Sequence, residues 1–211
     1  LPVVAPTTGR VAALVRCCGR RADEVVGTLA PLGGQATVER IAANAVMAGC
    51  AVEQFPFVLA AVEAVCDPSF NLAGVQTTDE NVAPLLVISA PLARRREAGL
   101  HSGCGVLGPG WRGNATVGRA LRLVLQNLGG GWPAAVSLAG AGQAGRSALV
   151  VVEDDEACPW EPLRVALGFP ADDAVVVAGR AETAVNVTGG LAEVVSVMAS
   201  ATSALPAPRT A

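Results

Sequence analysis

The run Gly103-Cys104-Gly105-Val106-Leu107-Gly108-Pro109-Gly110 is the segment best suited by residue type to hold a ligand. Glycines let a bound group approach the backbone closely. Free N–H groups at the start of a following helix favour an anion. Arg112 flanks the run and Arg119 lies further along, so two guanidiniums are available for bidentate contact. Gly105, Gly108, Arg112, Asn114 and Arg119 are therefore candidate binding residues for a carboxylate or a phosphate. The letters also fit G-x-G-x-x-G. Pro109-Gly110, however, interrupts the step from turn to helix that a dinucleotide fold needs, and the nearest predicted strand is distant. A purely structural loop is the remaining alternative. His101, beside Ser102 and Cys104, is a possible base or thiol activator. A surface histidine in a polar turn is the commoner use of such a residue.

Three more groups of residues have suitable chemistry. Glu39 sits among Ala36, Ala42 and Ala43, where it is either desolvated and fit for proton transfer or simply faces water. Asn44 shares the same segment. Cys50 follows Gly49 at an expected helix C-terminus, an end that disfavours a thiolate, so a nucleophile there needs another positive group. Pro159-Trp160-Glu161-Pro162 presents a tryptophan and a carboxylate rigidly, as a pocket wall or an interface would. The run Glu153 to Glu156 has oxygen ligands but no calcium-loop spacing, and reads as a solvated turn. Arg94, Arg95 and Arg96 read as a solvated loop or helix end.

Composition narrows the mechanisms. The 211 residues contain 15 basic side chains, all of them arginine, with no tyrosine and one histidine. Schiff-base chemistry, a P-loop lysine and phenolic acid–base catalysis are excluded. So is any zinc site built from several histidines. Six cysteines without C-x-x-C spacing and without a signal-peptide pattern point to free thiols in a reducing, cytoplasmic setting. A net charge of −3 with 3% aromatics argues against a nucleic-acid surface. No stretch reaches the roughly 20 apolar residues of a membrane span. The chain opens on Leu1-Pro2, as a processed chain or a piece of a longer protein would.

The elements that must position these residues follow from periodicity. Helical spacing covers residues 7–30 with a break at Gly19, then 36–48 ending at Gly49, then 54–65 with Pro56 in the first turn. Short buried strands are expected at 73–77, 84–90, 148–152 and 174–178. An amphipathic helix over 114–128, with Asn114 as N-cap, ends at Gly129-Gly130-Gly131. A last helix is expected over 190–200. The fold class is α/β or α+β: a helical N-terminal part, residues 7–66, then a mixed sheet with covering helices, residues 70–200. The two parts form one domain over 1–200, and 201–211 is a flexible tail.

Four blocks of the chain carry a resemblance. They are Gly34-Gln35-Ala36-Thr37-Val38-Glu39-Arg40-Ile41-Ala42-Ala43-Asn44 through Gly49-Cys50, Phe70-Asn71-Leu72-Ala73-Gly74-Val75-Gln76-Thr77-Thr78, Ser102 through Ala120, and Pro159 through Leu163. Together they resemble a poorly characterised bacterial family that accompanies, or is fused to, small UGSC-type thiol or selenol domains. The resemblance spans roughly residues 6 to 180. It implies a redox-active partner domain or subunit, since this chain has no Cys-Gly-Ser-Cys. It adds Gln76 to the candidate binding residues. His101 stands where the family pattern has asparagine and Gly113 where it has alanine, and Cys104 and Cys158 are not part of the pattern.

Two functions compete. In the first, the protein is an enzyme or enzyme subunit for a small anionic molecule, a thiol-dependent lyase or reductase. Glu39, Cys50 and Glu161 are then its candidate catalytic residues. Asn44, Gln76 and Asn114 orient the substrate, and Gly105, Gly108, Arg112 and Arg119 bind its charge. In the second, it is a non-catalytic binding module or partner subunit of a thiol-redox complex. The apolar composition supports this second reading, as a chain that docks on a partner or forms an oligomer and buries an apolar face. The cofactor is open, and no metal ligand set is identified.

Overall fold

The computed structural model describes residues 2–199 except 109, 148, 183, 185 and 186. The expected tail at 201–211 and the ends of the predicted elements at 148 and 200 lie outside the described residues.

The chain begins with α1 (Thr8–Cys18), closed by Gly19 in the left-handed region. A hairpin follows, β1 (Val25–Leu29) paired antiparallel with β2 (Gly34–Thr37). Helix α2 (Val38–Ala48) starts directly after it, with the Thr37 hydroxyl accepting from the Arg40 N–H. Glu24 and Ala22 carbonyls accept from the N–H groups of Val38 and Glu39, so the hairpin's approach segment satisfies the helix start. Gly49 ends α2 as the sequence predicts. Next come α3 (Phe55–Cys66) and α4 (Leu72–Thr77).

The second half holds β3 (Ala83–Ser89), α5 (Leu92–Glu97), α6 (Arg112–Asn127), β4 (Val150–Val152), α7 (Leu163–Ala166), β5 (Val175–Ala181) and α8 (Leu191–Met198). The three strands form one mixed sheet in the order β4-β3-β5, with β4 parallel and β5 antiparallel to β3. Helix α6 packs on α2, α3 and β4, and α3 packs on β1 and β5. A continuous core links Leu14 of α1, Ile41 of α2, Phe55 of α3, Ile88 of β3 and Leu125 of α6. The molecule is therefore a mixed α/β structure with a helical N-terminal part.

Four local expectations are corrected. Residues 25–29 form a strand rather than the end of a first helix, because Val25 to Leu29 pair with residues 34–37. Residues 73–77 lie in α4 rather than a strand, because the Asn71 side chain accepts from the Gly74 N–H and starts a helical turn. Helix α6 begins at Arg112, so Asn114 is inside it and is not its N-cap. The last correction concerns the two charge runs. Arg95 is 3% exposed, and Glu153 and Asp155 are half-buried against it.

That last group forms a buried polar network at the C-terminal ends of β3 and β4. Asp155 accepts from Arg95 at 2.5 Å and from Arg164 at 2.9 Å. Ser89 donates to the Glu153 carboxylate and accepts from the Arg164 N–H at 3.1 Å. The other Glu153 oxygen accepts from the Leu163 N–H at 2.8 Å, which fixes the start of α7. Two cations and two carboxylates thus meet with most of their hydrogen bonds made, the condition under which buried charge is tolerated.

Candidate functional site

Helix α2 ends at Gly49 and turns Cys50 back toward α6. The Cys50 thiol donates to the Thr116 carbonyl at 3.3 Å. Thr116 is itself held, its hydroxyl donating to Gln54 Oε1 at 2.8 Å, while Gln54 Nε2 donates to the Ala98 carbonyl at 2.8 Å. These bonds tie the residue-50 turn to α6 and to the end of α5.

A cavity of about 250 Å³ opens beside Cys50, lined among others by Val4, Arg10, Leu14, Gly49 and Arg112. Among the described residues, no carboxylate lines it. Arg112 donates to the Gly49 carbonyl at 3.3 Å and Arg10 to the Ala5 carbonyl at 3.1 Å, so both guanidiniums keep donors to spare. The wall carrying Val4 is pinned at two points. The Val4 N–H donates to the Met47 carbonyl, and Arg119 donates to the Pro2 carbonyl at 2.6 Å.

Burial pushes the Cys50 thiol up to about 12, and the positive charge of Arg112 pulls it only partly back. The group is therefore a thiol at neutral pH. A thiol donates a proton or a hydrogen bond; the nucleophile and metal ligand is the thiolate.

The other candidates are placed as follows. Arg119 acts on the N-terminal wall. Glu39 and Glu161 are exposed and neither lines the Cys50 cavity. Asn44 is buried between helices, donating to the Arg40 carbonyl at 2.9 Å and accepting from Asn127 at 2.7 Å. Asn114 is buried and clasps the loop before it, accepting from the His101 N–H at 3.1 Å and donating to the His101 carbonyl at 2.9 Å. Gln76 Nε2 donates to the Ala30 carbonyl at 2.6 Å, and its Oε1 has no partner.

Gly103, Gly105 and Gly108 all have positive φ, which explains glycine at each. Their loop folds on itself, the Val106 and Gly108 N–H groups donating to the Gly103 and Gly105 carbonyls. His101 stacks on Trp111 with ring centroids 4.0 Å apart, and Trp111 Nε1 donates to the Cys104 carbonyl. Two backbone donors of the glycine run are thereby spent within the loop.

The structure thus brings Cys50 and Arg112 together and leaves Glu39 and Glu161 outside. It adds Arg10, which the sequence reading missed. Arg10 lies 40 positions from Cys50 on the face of another helix, and no local spacing marks that meeting. All six cysteines are free. No cluster of three or more metal-ligating side chains occurs among the described residues, and no described helix is long and apolar enough to cross a membrane. No protein-family model, curated protein or solved structure matches the chain.

Proposed function

We propose that the cavity between Arg10, Arg112 and Cys50 binds a small anionic molecule, a carboxylate or phosphate, and that the protein is a thiol-dependent enzyme or enzyme subunit acting on it. One observation carries this reading: two arginines and a thiol line a single cavity that no described carboxylate neutralises. An anion entering it gains charge-assisted hydrogen bonds from both guanidiniums. It also cancels the positive charge that would otherwise help ionise Cys50, so the thiol stays protonated in the complex. Cys50 then acts as a proton donor to the bound molecule. That role belongs to a lyase, which must protonate a carbanion or a leaving group; a reductase needs the thiolate. The six free cysteines support a reducing, cytoplasmic setting.

Calorimetric titration with a panel of small carboxylates and inorganic phosphate tests the reading. At least one should bind, and Arg112→Ala should weaken it about 10- to 100-fold, the worth of one charge-assisted contact. The same ligand should slow alkylation of Cys50. Binding unchanged in both Arg112→Ala and Arg10→Ala defeats the assignment.

A second reading, a non-catalytic subunit that docks on a thiol or selenol partner or on a further copy of itself, has its own support. Leu191 is 78% exposed and Trp160 74%, and Val195 and Met198 extend the apolar face of α8. Light scattering on the purified chain separates the two: a monomer that binds the anion favours the enzyme, and a stable oligomer or captive partner favours the docking role.

A further inference from the structure

A second cationic site lies away from Cys50, between α6 and the segment before β4. Arg122 and Arg146 both line two neighbouring cavities, each of about 10 Å³. Neither shares a lining residue with the Cys50 cavity. A space of this size holds one water-sized particle.

The two arginines have only neutral partners among the described residues. Arg122 donates to the Gly131 carbonyl at 3.1 Å. Arg146 donates to the Val82 carbonyl at 2.8 Å, the Ser137 hydroxyl at 2.5 Å and the Glu80 backbone carbonyl at 3.5 Å. No described carboxylate forms an ion pair with either. Both are partly withdrawn from water, and this burial holds their ionisation below the usual arginine range; the Arg146 charge adds to the effect on Arg122. Arginine nevertheless remains charged in proteins. Two like charges are thus held near each other without a counter-ion, in a molecule that elsewhere pairs its buried arginines with Asp155.

The cavities differ in their walls. One is walled mainly by Leu86, Leu121, Leu125 and Leu149 around the guanidiniums. The other is bounded by Gln76, which is 4% exposed and whose Oε1 has no partner. Both Gln76 Nε2 contacts are to carbonyl oxygens, Ala30 and Leu125, so the amide is oriented with its acceptor free. The leucine-walled space beside the arginines suits a weakly hydrated anion.

We propose that Arg122 and Arg146 hold a monoatomic anion of the halide class, chloride in the cell, in the leucine-walled cavity. The space beside the guanidiniums holds one small particle, which favours a monoatomic anion over phosphate or a carboxylate. The anion supplies the counter-charge that no described residue provides and locks α6 to the segment preceding β4. It is a structural site and does not depend on the activity assigned to Cys50.

The test compares the unfolding midpoint of the intact chain in sodium chloride, sodium bromide and sodium gluconate at equal ionic strength. Halide should raise the midpoint by about 3 °C over gluconate once it reaches about ten times its Kd. In parallel, the native protein should broaden the chlorine-35 resonance of chloride, and bromide should reverse the broadening. Arg146→Gln should abolish both effects. Superimposed halide and gluconate curves, with no excess broadening, overturn the proposal. So does a phosphate response at lower concentration than chloride, or broadening that survives in Arg146→Gln. If that variant does not fold, the two measurements on the native protein decide alone.

Discussion

At the scale of single residues, Cys50 concentrates the chemistry and the legibility of the site together. Its position after a helix-ending glycine is readable from the sequence, and so is its need for a nearby cation. The burial that dominates its ionisation is not readable, because it comes from α6 and the N-terminal segment folding over it. The sign of its pH dependence follows. Its folded value, about 12, lies above the ordinary 9.0. Cys50 therefore adds stability that is fully present below about pH 9 and is lost as pH rises toward 12. Denaturant titrations from pH 8 to 11 should show a decline that Cys50→Ala flattens, against a background set by Cys17 and Cys66, whose thiols burial also pushes up. Alkylation of Cys50 should be slow at pH 7 and keep accelerating past pH 10. A plateau near pH 7 would mean a thiolate site and would reverse the proton-donor role. The amides teach the complementary lesson. Asn44 and Asn114 have types suited to substrate contact, yet each spends its hydrogen bonds on the chain's own backbone or on another amide. Residue type alone does not separate those uses.

The elements show where periodicity decides and where it does not. Helices α2, α3 and α6 fall within two or three residues of their predicted spans, because each carries a sustained apolar face. The short segments do not follow suit. Val25, Val26 and Leu29 satisfy helical spacing, but pairing with residues 34–37 makes them a strand. Residues 73–77 look like a buried strand, and one Asn71 contact makes them a helix. Five-residue patterns are decided by their neighbours. Gly113 gives a sharper case, because sequence resemblance expects alanine there. A Cβ at this position would lie 2.1 Å from the Gly99 carbonyl oxygen and 3.1 Å from that of Ala98. The first turn of α6 thus presses on the backbone that follows α5, and Asn114 clasps the next residues. Gly113→Ala should cost about 1–3 kcal/mol through forced displacement, despite alanine's better helix propensity. Denaturant melts check the sign. A stabilised variant would mean that the turn has room to move and that the contact with residues 98–99 is loose.

The whole molecule is joined by its core rather than by its sheet. Three strands and a two-stranded hairpin are too little sheet to stand alone, and they are separate from each other. What connects them is helical. Helix α3 touches both the hairpin and β5, and α6 touches α2, α3 and β4. One cluster of buried side chains runs from Val11 and Leu14 in α1 through Phe55 and Val58 to Ile88 and Val152 in the sheet. A helical part and a sheet part that share one core cannot expose either face without exposing the other. The chain should therefore unfold in one cooperative step, with coincident far-UV and tryptophan transitions. Leu14→Ala, at one end of the core, and Ile88→Ala, at the other, should each cost about 2–5 kcal/mol. Both should lower the same midpoint, by roughly 2–4 °C per kcal/mol for a chain of this length. Two resolved transitions, one sensitive to Leu14 and the other to Ile88, would mean that the helical and sheet parts are separate units. The Cys50 cavity takes Arg10 and Cys50 from the helical part and Arg112 from α6, so anion binding would then be lost in whichever transition came first.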